Sequence, residues 1–136
     1  MVRVFVDSNT IISALAFGGN ELKVLKLLRK TKNCESVISE DVAEEVAKVL
    51  AKKFPEKSKR LFRFLGLMIT EIISTNEYQG LIARQSCRDE KDRHVLAAAT
   101  ASQCDFILTG DKDLLELKTA KPKVIRSRDL LRLLGY

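Results

Sequence analysis

Short runs rich in Val, Ile and Phe alternate with longer segments of helical periodicity along this chain. The short runs predict strands over residues 2–6, 36–38, 67–73, 105–109 and 124–125. Strands that alternate with helices form a parallel sheet with helices packed on both of its faces. We therefore predict one α/β domain over residues 1–136, a three-layer α/β/α sandwich around a parallel sheet of about five strands.

Capping residues and helix breakers set the predicted helix boundaries. Gly18-Gly19 ends the first helix, because glycine accepts the backbone conformation of a helix C-terminus. Ser39 is a good N-cap for the third helix, and Pro55 stops it. Asn76 and Ser127 are the expected caps of two later helices. The predicted helices cover residues 10–17, 21–30, 40–54, 57–64, 76–86, 89–103, 111–115 and 127–134.

The charge of the chain favours polyanionic partners. Hydrophobic residues make up 46% and charged residues 31% of the sequence, which is typical of a soluble globular domain. Lys and Arg number 24 against 18 for Asp and Glu, which gives a net charge of +6. This surplus suits nucleic acid, although surplus lysine also serves solubility alone.

The cysteines and the apolar segments indicate a cytoplasmic protein. Cys34, Cys87 and Cys104 are odd in number and lack CxxC spacing, so we expect reduced thiols rather than a disulfide framework or a zinc site. Asp7 interrupts the apolar N-terminal run too early for the core of a signal peptide. No stretch approaches the roughly 20 apolar residues of a membrane span, so we expect no association with membranes.

Acidic residues follow two of the predicted strands. Asp7 comes directly after the first strand, and Asp111 follows residues 105–109 after a single glycine. Ligands of open α/β sheets bind outside the carboxyl ends of the strands, so both carboxylates should emerge at one edge of the sheet. The alternative is that each aspartate only caps the helix that follows it.

Helical geometry selects Glu45 rather than Glu44 as a third acid. Val42, Val46 and Leu50 define the buried face of their helix. At about 100° per residue, Glu45 lies at the margin of that face, about 90° from its centre, whereas Glu44 lies nearly opposite. Glu45 is thus predicted to face a cleft beside the core, the alternative being an ordinary surface glutamate.

Asp92 is the fourth acid, in the first turn of the helix that begins at Asp89. It shares a face with Val95, Leu96 and Ala99. A buried carboxylate must be paired, protonated or metal-bound, because an isolated buried charge is expensive. The alternative is a capping box: Asp89 as N-cap with an acid three residues later, which also suits the helix dipole. Asp89 itself is interpreted as a cap or a supporting residue.

Together, Asp7, Glu45, Asp92 and Asp111 predict an active site of four carboxylates. Such a cluster repels itself unless a hard cation lies within it, and oxygen ligands suit Mg²⁺ or Mn²⁺. Metal sites of this kind activate water and stabilise the leaving oxygen in phosphodiester cleavage. A haloacid-type phosphatase would need an aspartate where Asn9 stands, and a receiver domain would need one after its third strand, so neither fits.

The sequence resembles the PIN-domain nucleases, in particular the small VapC-like toxins. The resemblance runs nearly end to end and is carried by VFVDSNTIISAL, SEDVAEEVAKVL, RDEKDRHVLAAATASQCDFILTGDKDLL and VIRSRDLL. The segment over residues 88–115 is its most specific part. The resemblance implies a parallel sheet between layers of helices. It also implies Mg²⁺- or Mn²⁺-dependent endonucleolytic cleavage of single-stranded or structured RNA.

The resemblance also implies residue roles and partners. The four acids of the family fall on Asp7, Glu45, Asp92 and Asp111, and supporting positions fall on Ser8, Asn9, Thr109 and Asp113. The implied partners are an RNA substrate, a cognate antitoxin protein and a second copy of the chain in a homodimer. The predicted function is the toxin endoribonuclease of a type II toxin–antitoxin system. A PIN-domain nuclease of cellular RNA processing and a noncatalytic RNA-binding module stay open as alternatives.

The densest basic segment, residues 52–63, carries phenylalanines between its cations. It is suited to an RNA backbone with stacked bases, or else to a packing arm with solvated lysines. His94, the single histidine, lies on the side of its helix opposite the apolar face, so we expect it at the surface or at a subunit contact. The candidate RNA contacts are Lys52, Lys53, Lys57 and Lys112.

Overall fold

The computed structural model describes residues 1–85, 87–117, 119 and 121–136. Its strands are β1 (Val2–Val6), β2 (Cys34–Ser39), β3 (Glu71–Ile73), β4 (Phe106–Leu108) and β5 (Lys123–Ile125). They pair in parallel into one sheet with the order β3-β2-β1-β4-β5. The predicted parallel sheet of five strands is therefore confirmed.

Helices cover both faces of the sheet. Because parallel crossovers are right-handed, the helices before β3 and those between β3 and β5 lie on opposite faces of the sheet. The last helix packs on the helix Gly19–Lys30. Within the described ranges, none of these helices is both long and apolar enough to cross a membrane. The helices are α1 (Ser8–Phe17), α2 (Gly19–Lys30), α3 (Glu40–Lys53), α4 (Ser58–Met68), α5 (Thr75–Tyr78), a 3₁₀ helix (Gln79–Arg84), α6 (Glu90–Ala101), α7 (Lys112–Leu115) and α8 (Ser127–Leu133).

The core surrounds the two central strands. Val4, Phe5 and Val6 of β1 and Ile107 and Leu108 of β4 are all 0% exposed. Neighbouring residues of a strand point to opposite faces, so a continuous buried run requires cover on both sides. The β-rich runs are therefore continuous rather than alternating because helices shield each face.

The predicted strand over residues 67–73 was wrong in its first part. Helix α4 continues to Met68, and β3 begins only at Glu71. The reason is a helical pattern in the apolar run: Leu61, Leu65 and Met68 recur at i, i+4 and i+7 and pack toward the core. Leu67, which breaks that pattern, is 63% exposed.

Two predicted helix caps were also wrong. Ser74, not Asn76, is the N-cap of α5, and its backbone N–H donates to Glu77 Oε2 at 3.1 Å. The chain then tightens into the 3₁₀ helix, and the predicted helix end at Ser86 lies outside the described residues. At the C-terminal helix, Arg126 occupies the cap position and Ser127 is the first helical residue. Gly18 does end α1 as predicted, with a φ of 75°.

The strand order places a topological switch point between β1 and β4. From β1 the chain proceeds to β2 on one side and later returns to β4 on the other. The register pairs Val6 with Leu108, so Asp7 and Thr109 follow side by side at the carboxyl ends of these strands. Ligands of open α/β sheets bind at such a point.

Candidate active site

Asp7 lies at the switch point with both carboxylate oxygens held. It is 1% exposed and is the N-cap residue of α1. Its Oδ1 accepts from the backbone N–H of Ser8 at 2.8 Å, and its Oδ2 accepts from Thr109 Oγ1 at 2.9 Å. Burial raises the pKa of the Asp7 carboxyl above its ordinary value, although these hydrogen bonds and the charge of Lys91 oppose the rise.

Thr109 links Asp7 to Asp111. The hydroxyl of Thr109 donates to Asp7 and accepts from the backbone N–H of Asp111 at 3.0 Å. Asp111 is the N-cap residue of α7, and its Oδ1 accepts from the backbone N–H of Asp113 at 2.9 Å. The two aspartates therefore emerge at the same edge of the sheet, as predicted, and a buried hydroxyl connects their loops.

Glu45 reaches the same edge from α3. The hydroxyl of Ser8, which is fully buried, donates to Glu45 Oε2 at 2.8 Å. Lys91 Nζ lies 2.8 Å from Glu45 Oε1. The burial pattern agrees with the helical-wheel argument, because Glu45 is half-buried while Glu44 is exposed.

Lys91 comes from the first turn of α6, on the opposite face of the sheet. Burial opposes its charge, but the hydrogen bond to Glu45 and the charges of Glu45, Asp7 and Asp111 outweigh this effect. They hold the pKa of the Lys91 ammonium above its ordinary value. The ammonium group is thus the cation that the acids of this edge share.

Asp92 carries the most perturbed carboxyl of the site. It is 4% exposed and lies on the buried face of α6 with Val95, Leu96 and Ala99, as predicted. Burial, followed by the charge of Asp111 and those of other nearby aspartates, raises the pKa of Asp92 to about 6. Buried carboxylates whose pKa values are raised by like charges are common at functional sites.

The predicted supporting residues divide into two groups. Ser8 and Thr109 are buried and bind the acids directly. Asp89 is the N-cap of α6 and accepts from the backbone N–H of Lys91 at 2.8 Å. Asp113 and Asp89 line a cavity of about 450 Å³ with Asp92. Asn9 is exposed, and within the described ranges no hydrogen bond ties its side chain to the acids.

The observed side-chain positions do not form a finished metal site. Within residues 1–85, 87–117, 119 and 121–136, no three Asp, Glu, His or Cys side chains converge closely enough to hold an ion. The donor set nevertheless fits a divalent cation, because its carboxylate oxygens suit Mg²⁺ or Mn²⁺ and a cation would relieve the repulsion that acts on Asp92. The acids that could supply ligands are Asp7, Glu45, Asp92 and Asp111.

Lys91 is the residue of this edge that sequence reasoning missed. The sequence holds one weak signal for it: a cation in the first turn of a helix is opposed by the helix dipole, so that an anion from another element stabilises it. Periodicity does not tell that this anion is Glu45, 46 positions away in the sequence.

His94 is partly exposed and is paired within the chain. His94 Nδ1 lies 2.8 Å from Asp41 Oδ2, which also accepts from the hydroxyl of Tyr78 at 2.6 Å. These contacts join α6 to α3 and α5 within one chain. Burial would raise the pKa of Asp41, but the hydrogen bonds from His94 and Tyr78 outweigh it and lower that pKa below its ordinary value.

The predicted RNA-contacting lysines are all exposed. Lys52 and Lys53 end α3, Lys57 precedes α4, and Lys112 begins α7. Lys52 follows Glu45 by seven residues, so the two share a face of α3 and lie about 10 Å apart along its axis. Their position is compatible with a path for a polyanion from the acids along α3.

The fold is shared with solved structures. VapBC2 from Rickettsia felis, determined with a DNA fragment from its promoter, matches with a TM-score of 0.70 and 18% identity, over 92% of this chain and 98% of that one. VapC20 from Mycobacterium tuberculosis, a toxin that cleaves the sarcin–ricin loop, matches with a TM-score of 0.58 and 13% identity, over 81% of this chain and 91% of that one. At these identities the similarity demonstrates a shared fold.

Sequence comparison adds the family. No curated protein matches the chain. The family model for the PIN domain matches residues 3–113, which include all four acids of the switch point. A match over this much of the sequence, together with the shared fold, shows that the chain belongs to the PIN-domain family.

Proposed function

We propose that this protein is a metal-dependent endoribonuclease that cleaves RNA phosphodiester bonds at the carboxyl edge of its sheet. One observation carries the proposal: Asp7, Glu45, Asp92 and Asp111 come from four separate elements of a PIN domain at the carboxyl edge of its sheet, where the charges of Asp7 and Asp111 act on both Lys91 and Asp92. Their mutual repulsion, expressed in the raised pKa of Asp92, favours a divalent cation as the missing partner.

All four acids would contribute ligands to the cation. Asp7, Asp92 and Asp111 would bind Mg²⁺ or Mn²⁺, and Glu45 would bind it directly or through water. When bound, the cation supplies activation of a water molecule and neutralisation of phosphate charge. Asn9, whose side chain is exposed, is proposed only as a neighbour of the acids.

Hydrogen bonds hold the acids at this edge before any substrate arrives. Ser8 fixes Glu45, and Thr109 fixes Asp7 and the loop of Asp111. Residues whose own orientation is fixed lose little entropy when they bind a ligand, and partners of this kind orient ligands in metal sites. Ser8 and Thr109 therefore act as positioning residues, with no direct contact with RNA required.

Two surfaces beside the acids are suited to the RNA backbone. The first is the basic side of α3, where Lys48 and Lys52 follow Glu45 at i+3 and i+7 and Lys53 lies at the helix end. The second is a cavity of about 240 Å³ that is lined by Thr109 together with Arg126 and Arg128. The positive side chains of these two surfaces would provide a path for a strand that passes near the acids.

The biological role that we propose is that of a toxin whose antitoxin restrains it. The support is the likeness to VapBC2 and to the VapC20 toxin, with similar length on both sides of each match. We further propose a homodimer and a cognate antitoxin as partners. Action in cellular RNA processing, or RNA binding without cleavage, would leave the fold unchanged and is separated from this role by experiment.

Labelled RNA, Mn²⁺ and EDTA test the activity. The protein should cleave RNA with Mn²⁺ or Mg²⁺, and EDTA should stop the cleavage. Asp7→Asn should abolish it while RNA binding persists, because the fold keeps its basic surfaces. Asp129→Asn is a matched control, since Asp129 lies on α8 and, among the residues that the structure describes, pairs with Arg132 alone, at 3.9 Å. Binding without cleavage in the unmodified protein would refute the proposal in favour of the binding module.

Induced expression tests the toxin role. The unmodified chain should arrest growth, the Asp7→Asn variant should not, and co-expression of the neighbouring open reading frame should relieve the arrest. Cleavage in vitro without growth arrest would favour a role in RNA processing instead. Light scattering on the purified chain checks the proposed homodimer.

A further inference from the structure

Lys91 forms an ion pair with Glu45, which is one of the proposed metal ligands. Lys91 Nζ lies 2.8 Å from Glu45 Oε1, and Ser8 Oγ donates to Oε2 at 2.8 Å. Both oxygens of Glu45 are therefore engaged by protein groups. In this arrangement no three ligating side chains converge within the described residues. An ion that Glu45 shares with Asp7, Asp92 and Asp111 would therefore compete with Lys91 for Glu45 Oε1.

The position of Lys91 is explained by the acids rather than by its own helix. Lys91 lies in the first turn of α6, where the helix dipole disfavours a cation. The acids compensate for this, since the charges of Glu45, Asp7 and Asp111 all act on the ammonium group. The side chain therefore lies among the same acids that a divalent cation would bind.

The ion pair is weak enough to be exchanged. The side chains of Lys91 and Glu45 are 45% and 37% exposed. Exposed ion pairs contribute little to stability, because water screens the attraction and ordering two long side chains costs entropy. A divalent cation carries twice the charge of an ammonium group and binds several carboxylates at once. Such an ion can therefore displace Lys91 from Glu45.

We propose that Lys91 is a built-in counter-ion of the active site, which competes with the divalent cation for Glu45 and is released when the metal binds. This inference rests on the proposed function for the identity of the ion. Lys91 stabilises the metal-free protein, lowers its affinity for metal and makes metal binding an exchange of cations.

Titration with Mn²⁺ tests this role without any RNA. Free Mn²⁺ is measured by electron paramagnetic resonance for the unmodified protein, Lys91→Met and Lys91→Arg. Methionine keeps the length of the apolar stem and removes the charge. Lys91→Met should bind Mn²⁺ about tenfold more tightly, because the competing charge beside Glu45 is gone. Lys91→Arg keeps the charge and should bind like the unmodified protein.

Lys112→Met is the matched control for general electrostatics. Lys112 neighbours Asp111 but, within the described residues, forms no ion pair with the acids. Its loss should change the Mn²⁺ affinity by less than about threefold, since exposed charges are screened by water. The melting temperature gives a second readout: in EDTA, Lys91→Met should melt below the unmodified protein, and saturating Mn²⁺ should remove the difference.

The outcomes separate this inference from the proposed function. Equal or weaker Mn²⁺ binding by Lys91→Met, or no binding by any variant, overturns the role of Lys91. A gain by Lys112→Met as large as that by Lys91→Met also overturns it, because the effect would then be a property of net charge. Tighter binding by Lys91→Met without RNA cleavage by the unmodified protein supports the exchange and refutes the nuclease.

Discussion

Carboxylates lie at both ends of the central strands, but they are paired differently at the two ends. At the amino ends, Arg3 binds Glu35 at 3.2 Å, Glu71 at 2.8 Å and the carbonyl of Ser102 at 2.9 Å. Asp105 accepts from the backbone N–H of Arg3 at 2.9 Å and lies 3.6 Å from Lys121. Each acid at this edge has a cation or a backbone donor of the chain as its partner.

At the carboxyl ends the acids are less evenly paired. Asp7, Glu45, Asp92 and Asp111 lie at this edge; the charges of Asp7, Glu45 and Asp111 act on Lys91, whereas the groups that act most on Asp92 are other carboxylates. The difference teaches that the acids of the amino edge are paired within the chain, whereas those of the carboxyl edge leave Asp92 under the repulsion that we propose a divalent cation relieves. An uncompensated group of carboxylates is costly to stability, and such costs are typical of functional sites.

The largest expected effect contrasts the two ends of β4. Asp111 follows this strand and Asp105 precedes it. Asp111→Asn should lower the rate of RNA cleavage at least about a hundredfold, because a proposed metal ligand is lost. Asp105→Asn should leave the rate per folded molecule unchanged. Initial rates with Mn²⁺ measure both, and an equal loss in the two variants would contradict the contrast between the edges.

The hydroxyl of Thr109 should matter nearly as much. Thr109→Val keeps the shape of the side chain but removes the donor to Asp7 and the acceptor for Asp111. We expect the cleavage rate to fall about 10- to 100-fold, as is typical when a residue that orients a ligand is lost. Thr109→Ser, which keeps the hydroxyl, should restore most of the rate. Full activity of the Thr109→Val protein would show that Asp7 does not need the hydrogen bond from Thr109.

Asp92 should make the metal-free protein less stable as the pH rises. The ordinary pKa is 3.8, and burial with nearby carboxylates raises the pKa of Asp92 to about 6 in the folded state. Between these values the folded protein holds a proton that the unfolded chain releases, so the free energy of unfolding falls by about 2 to 3 kcal/mol as the pH rises through this window. Above about pH 6 the fall is complete.

Urea unfolding in EDTA at pH 4 and pH 7 measures this fall. Asp92→Asn cannot ionise, so the variant should lose less stability across the window than the unmodified protein. Saturating Mn²⁺ should also reduce the fall in the unmodified protein, because a bound cation favours the ionised carboxylate. The same pH dependence in the variant would assign the effect to other groups.

Arg3 tests the amino edge by itself. Arg3→Met removes a half-buried guanidinium and leaves Glu35 and Glu71 without their partner. The free energy of unfolding should fall by about 1 to 2 kcal/mol, as expected for a charged hydrogen-bonding group that is partly solvated. The cleavage rate and the Mn²⁺ affinity of the folded fraction should stay unchanged. A changed Mn²⁺ affinity would show that the two edges are coupled.

The smallest expected effect concerns the basic side of α3. Lys48→Gln and Lys52→Gln should each weaken RNA binding only a few-fold. Each should also reduce the slope of log binding constant against log salt concentration by about one, the value for one lost phosphate contact. Binding is measured by fluorescence anisotropy with the Asp7→Asn variant at several salt concentrations. Lys121→Gln, at the amino edge, is the control. An equal effect of all three substitutions would mean that net charge alone attracts the RNA.

The sequence alone determined the architecture and the positions of the acids along it. Continuous β-rich runs between amphipathic segments led to a parallel sheet, because both periods are local properties of the chain. The strand ends then located Asp7 and Asp111, and helical periodicity selected Glu45 over Glu44 and placed Asp92 on a buried face. Where two local signals competed, as at the end of α4, the sequence was misleading, since an apolar run fits a helix or a strand.

Only the tertiary structure decided how the charges are paired. Lys91 meets Glu45 and His94 meets Asp41 across 46 and 53 positions of sequence. No periodicity encodes such contacts, because they depend on how the helices of the two layers meet over the edge of the sheet. Charges act through space rather than along the chain, and their balance at each edge therefore exists only once the layers have packed.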